Sequence, residues 1–102
     1  MRVCLPAILL TAAFSSFTAL AEDTDIARNL AATCATCHGT NGYARGDMVP
    51  LAGMRAQQLL EAFADFKRGA RPATVMHQIA KGFTEEQISL IAGYFAAQPP
   101  KQ

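Results

Sequence analysis

Cys34-Ala35-Thr36-Cys37-His38 is the stretch on which the rest of the chain turns. Residues three apart on a helical turn project to the same side, so the two thiols can meet one ligand together. An imidazole follows at once. This C-x-x-C-H pattern is the attachment sequence of a covalent c-type haem. The spacing lets both sulfurs reach the two vinyl groups of one porphyrin while the next residue swings its imidazole under the iron. The expectation is a single haem c, held by thioethers from Cys34 and Cys37, with His38 as the proximal iron ligand.

Other uses of the motif fit less well. A thioredoxin-like C-x-x-C belongs to a βαβ context, and the chain carries no strand signal. A structural zinc site takes four ligands. The sequence holds 3 Cys and 2 His, with His77 remote from the motif. A Cys34–Cys37 disulfide would leave His38 and the glycine-rich stretch after it without a role.

Upstream, apolar spacing predicts a helix from about Asp25 to Ala35, with Asp23, Thr24 or Asp25 as its cap and Ile26, Leu30, Ala31 and Cys34 on one face. Before it, residues 1–21 read as a secretory signal peptide. Arg2 gives a positive start, an apolar run extends from Val3 to Phe14, and Ala19-Leu20-Ala21 is a cleavage pattern. The run is shorter than the ~20 residues a membrane-spanning helix needs. The expectation is therefore export to the periplasm, removal of Cys4 with the leader, no stable membrane insertion after cleavage, and one domain over residues 22–102.

Downstream, Gly39 to about Met54 is rich in Gly, Asn and Pro and reads as a long loop of the kind that wraps something. A helix follows from about Arg55 to Arg68, with the stripe Leu59, Leu60, Phe63 and Phe66, ended by Gly69. A short helix covers Thr74 to Lys81. The last runs from Thr84 to about Ala97, opened by the capping box Thr84-Glu85-Glu86-Gln87. The fold class is all-α, with three to four main helices around the haem.

Composition agrees. In 102 residues, 51% are hydrophobic and 17% charged, which suits a globular chain. The 9 basic and 8 acidic side chains leave a formal charge of +1, too little for nucleic-acid binding by phosphate neutralisation. A domain this small is marginal on its own core and gains from a cofactor.

A six-coordinate iron needs a second ligand, and the candidates are Met48, Met54, Met76 and His77. Met76 is best placed, after Pro72 and between two amphipathic segments, where the chain can close over the distal face. A thioether there favours ferrous iron and raises the potential. On a helix His77 diverges from Met76 by about 100°, so only one of them can face iron.

These residues resemble the small bacterial class I cytochromes c, in particular the haem subunit of flavoprotein sulfide dehydrogenases and the cytochrome c4 type domains. The likeness is carried by Cys34-Ala35-Thr36-Cys37-His38-Gly39, Leu51-Ala52-Gly53, Thr74-Val75-Met76-His77-Gln78-Ile79-Ala80-Lys81-Gly82-Phe83 and Ile91-Ala92-Gly93-Tyr94-Phe95. In that family the methionine of the third block is the distal ligand, which falls on Met76. The family's P-x-L-x-G, whose proline carbonyl takes a hydrogen bond from the proximal histidine, is altered. Pro50 directly precedes Leu51, so the carbonyl of Val49 or of Pro50 is expected to hold His38. The resemblance also implies that the first and last helices pack together, Ala27, Leu30 and Ala31 against Ile91, Ala92, Tyr94 and Phe95, with Gly93 among the small residues at the crossing.

The expected function is electron transfer, not enzymatic catalysis, between redox protein partners, with a flavoprotein subunit as one candidate. Lys67, Arg68, Arg71 and Lys81 form a basic cluster that could dock on an acidic partner. The alternative is a haem sensor or ligand-binding enzyme with a labile sixth position.

Overall fold

In the computed structural model, which describes residues 2–4 and 16–100, five α-helices follow one another: α1 (Ser16–Ala32), α2 (Ala35–His38), α3 (Ala56–Lys67), α4 (Met76–Lys81) and α5 (Glu85–Ala96). A 3-10 turn at Thr40–Gly42 follows α2, and no strand occurs among the described residues. No helix among them is long and apolar enough to cross a membrane.

Helix α5 is the element the others pack around. Its start is fixed by the capping box: Thr84 Oγ1 accepts from Gln87 N at 3.1 Å, and Gln87 Oε1 accepts from Thr84 N at 3.0 Å. Two of the amides that a helix start leaves unpaired are thereby satisfied. Ile88, Ile91, Ala92 and Phe95 then fall on one stripe and are buried. Helix α1 crosses this stripe with Ala27 and Ala31, whose small side chains allow a close approach. Helix α3 contributes Leu59 and Phe63 and packs on both α4 and α5. Each large side chain taken fully from water contributes about 1.5–3 kcal/mol.

Several sequence expectations shift. Helix α1 is described from Ser16 onward and so is already under way well before Asp25, because residues 23–25 contain nothing that breaks it. The proposed caps lie inside it, where Asp25 pairs with Arg28 at 2.9 Å. The helix ends at Ala32, three residues early. Thr33 bonds back to the Leu30 carbonyl through both its amide and its hydroxyl, at 3.2 and 2.7 Å. That tight turn takes Cys34 off the α1 face. Ile26 is left 40% exposed, and Ala27 takes the buried position.

Helix α4 starts at Met76, not Thr74, because Val75 has non-helical dihedrals. Its anchor is Ala80, wholly buried, while Val75 and Ile79 stay exposed. Gly93 is not at the α1–α5 crossing: it is exposed, and a Cβ built on it would meet nothing within 4 Å.

Candidate functional site

The motif occupies a single helical turn. His38 N donates to the Cys34 carbonyl and Gly39 N to that of Ala35, both at 2.9 Å. Cys34 is half-buried, Cys37 is exposed, and both are free thiols. Burial pushes the Cys34 thiol above its ordinary range, and the neighbouring Thr33 hydroxyl opposes this.

Gly39 and Gly42 turn the chain sharply after His38. Both have φ of +81°, in the region that glycine tolerates at least cost. A Cβ on Gly39 would lie 2.1 Å from the Tyr43 carbonyl oxygen, and one on Gly42 would lie 2.6 Å from Ala52 N. The Gly42 carbonyl accepts from Leu51 N at 2.9 Å and from Ala52 N at 3.2 Å. This closes residues 43–50 into a loop that returns to the motif.

The loop delivers a backbone oxygen to the imidazole. His38 Nδ1 lies 2.7 Å from the carbonyl oxygen of Val49, so of the two carbonyls expected from sequence it is Val49, not Pro50, that meets the ring. A carbonyl only accepts, so Nδ1 carries the proton and Nε2 keeps its lone pair for a metal.

The motif opens onto a cleft of about 540 Å³. Cys34, Cys37 and His38 line it, together with Met48, Val49, Leu51 and Met54 of the loop. Helix α3 adds Leu59, Phe63 and Phe66, and α5 adds Ile91 and Phe95. The α3–α4 connection and α4 contribute Arg71, Val75, Met76 and Ile79. Of the four candidate sixth ligands, the three methionines line this cleft. His77 lies with Lys67, Arg68 and Lys81 in a separate surface pocket. Met76 is half-buried and packs against the core.

This donor set fits a haem. Two unpaired thiols, one imidazole with its tautomer held, and a thioether share a largely apolar cleft of a size that suits a cofactor. Among the described residues no group of three His, Cys, Asp or Glu side chains is arranged to hold a bare metal ion.

The basic cluster is largely paired. Lys67 Nζ lies 2.9 Å from Glu85 Oε1 and donates to the Phe83 carbonyl at 2.8 Å. Arg68 and Arg71 share the two oxygens of Asp65 at 2.6 and 3.1 Å. These bonds, from Arg68 above all, hold the Asp65 carboxyl below its usual range. Arg71 on the cleft wall is the residue that sequence reasoning missed as part of the site. The sequence placed it only in the basic cluster before Pro72, and nothing in the spacing says which way that connection turns.

No protein-family profile matches the chain. Cytochrome c-554(548) of Halomonas halodenitrificans is 36% identical over 70 residues, spanning 65% of this chain and 84% of that protein. The chain belongs to the small class I cytochromes c. The cytochrome subunit of sulfide dehydrogenase from Chlorobaculum tepidum is 44% identical to this cytochrome over 66 residues, or 65% of the chain and 60% of the subunit. A solved cytochrome c4 of Acidithiobacillus ferrooxidans superposes with a TM-score of 0.64 at 30% identity, covering 76% of this chain and 48% of that one. The cytochrome thus spans less than two thirds of the length of both the sulfide dehydrogenase subunit and the cytochrome c4. Its fold is the all-α class I cytochrome c fold. These residues thus form a cytochrome c unit.

Proposed function

We propose that this cytochrome is an exported single-haem carrier with His38 and Met76 as axial ligands and thioethers at Cys34 and Cys37. The observation that carries the reading is the meeting of both thiols, the held imidazole and Met76 in one apolar cleft. Bound haem would supply one-electron chemistry between ferric and ferrous iron. The chain's part is to fix and insulate. Val49 holds the His38 ring with Nε2 available, Met76 offers a soft sulfur, and Phe63, Ile91 and Phe95 keep water from the wall.

Export to the periplasm with cleavage after Ala21 belongs to the same proposal. Residues 22–26 are exposed and the buried α1 residues Ala27 and Ala31 lie beyond the cleavage point, so cleavage there keeps their contact with α5 in place. Redox proteins are the partners: the likeness to the cytochrome subunit of a sulfide dehydrogenase supports a dehydrogenase subunit as electron donor, and the resemblance drawn from the sequence makes a flavoprotein the candidate.

The test is the spectrum of purified holoprotein. Expected are haem absorption that acidified acetone cannot extract, the weak sulfur-to-iron band of the ferric state, and resistance of the ferrous state to carbon monoxide. Met76→Ala should abolish that band and admit carbon monoxide. Wild-type protein that binds carbon monoxide readily would replace the carrier with a ligand-binding haem protein.

A further inference from the structure

Among the described residues that line the cleft, Arg71 is the one cation. A largely apolar wall has little to offer an anionic group, and burying such a group without a partner is costly. Haem carries two propionate carboxylates, so a seat for one of them has to come from the few polar groups on this wall.

Arg71 is held ready for that task. Its Nη2 donates to Asp65 Oδ2 at 3.1 Å, and its guanidinium carbon sits 5.4 Å from the centroid of Phe66, itself a cleft residue. Asp65 cannot neutralise it fully, because Arg68 takes the other oxygen at 2.6 Å. One carboxylate serves two guanidiniums, and a positive charge is left over. A guanidinium has five N–H donors, and its planar fork matches a second carboxylate.

The geometry points to Arg71 as the residue that receives a haem carboxylate and, through its charge, raises the reduction potential, with Asp65 and Phe66 as its positioning residues. This rests on the haem reading above. Ferric iron carries one more positive charge than ferrous, so a nearby cation disfavours the ferric state. Neutralising a propionate acts in the same direction. Arg68 is the natural control: it binds the same carboxylate and carries the same charge, but it lines only the neighbouring surface pocket.

Spectroelectrochemical titration of purified holoproteins tests this. Arg71→Gln should shift the ferric/ferrous balance about tenfold toward ferric, equivalent to about 59 mV for one electron. Arg71→Lys should recover most of that shift, and Arg68→Gln should move the balance less than twofold. Asp65→Asn removes the neutralising carboxylate and should shift the balance several-fold toward ferrous. An Arg71→Gln protein within twofold of wild type, or an Arg68→Gln shift as large as that of Arg71→Gln, overturns the assignment. If Arg71→Gln yields no holoprotein, an unmoved Asp65→Asn potential overturns it instead. Wild-type protein without covalent haem would remove both readings, whereas loaded protein with unmoved potentials removes only this one.

Discussion

At Gly39 the backbone leaves the motif at a φ of +81°, and a methyl group there would sit 2.1 Å from the Tyr43 oxygen. Such an overlap cannot be relieved by rotating a side chain, because the obstacle is backbone. Gly39→Ala should therefore cost more than the ~1 kcal/mol of an ordinary glycine replacement at positive φ. It should also displace the loop that carries Val49. Chemical denaturation of the holoprotein measures the first effect, and a lowered reduction potential reports loosening of His38. Unchanged values for both would mean that the turn is not under this constraint.

Among the helices, α5 has a defect that its surroundings do not need. Gly93 sits mid-helix, exposed and with open space where its Cβ would be. Gly93→Ala should stabilise the protein by about 0.5–1 kcal/mol, seen as a rise of several degrees in Tm. A fall in Tm would show that the position is crowded by something that covers it in solution. The α3–α4 connection behaves differently, because its order depends on charge. The Asp65 carboxyl is held below its usual range, first by the bond from Arg68 and then by that from Arg71. A depressed carboxylate adds stability above its unfolded pKa and loses it as pH falls through the folded one. Wild type should thus exceed Asp65→Asn in stability at neutral pH, and the two should converge as the pH drops below the ordinary carboxylate range near 4. Parallel Tm curves across that range would remove the linkage.

In the whole molecule, core and cleft share a wall. Ile91 is fully buried under α1 and α3 and also lines the cleft. Ile91→Ala should cost about 2–5 kcal/mol and should let water nearer the iron, so a lower potential should accompany the lower Tm. A stability loss with no change in potential would separate the two roles. The same shared wall explains what the sequence made legible. Helical stripes and the capping box at Thr84 speak for themselves locally, so α3 and α5 lie close to their expected bounds. The ends of α1 do not, because nothing at residues 23–25 breaks the helix and the two Thr33 back-bonds end it. That Cys34, Cys37 and His38 share one helical turn was readable from their spacing. The choice of Val49 over Pro50 depends on the double clip at Gly42, and Arg71 depends on the path after Gly69; both are set by tertiary closure. The burial of Ala80 was hidden because alanine says little about which face it takes.

The bracket around His38 is tied to the last residues described. Gly53 N donates to the Phe95 carbonyl at 2.9 Å, the Tyr94 hydroxyl to the Asn41 side chain, and the Tyr43 hydroxyl to the Pro99 carbonyl. Residues 94–99 therefore have to dock before the histidine's orienting oxygen is locked in place. Until then Cys34 and Cys37 would be displayed on a pliable half-built strand, open to whatever machinery performs the ligation. Docking of residues 94–99 would then act as the latch, so a truncation after Gly93 should still be stitched to porphyrin yet hold its iron loosely.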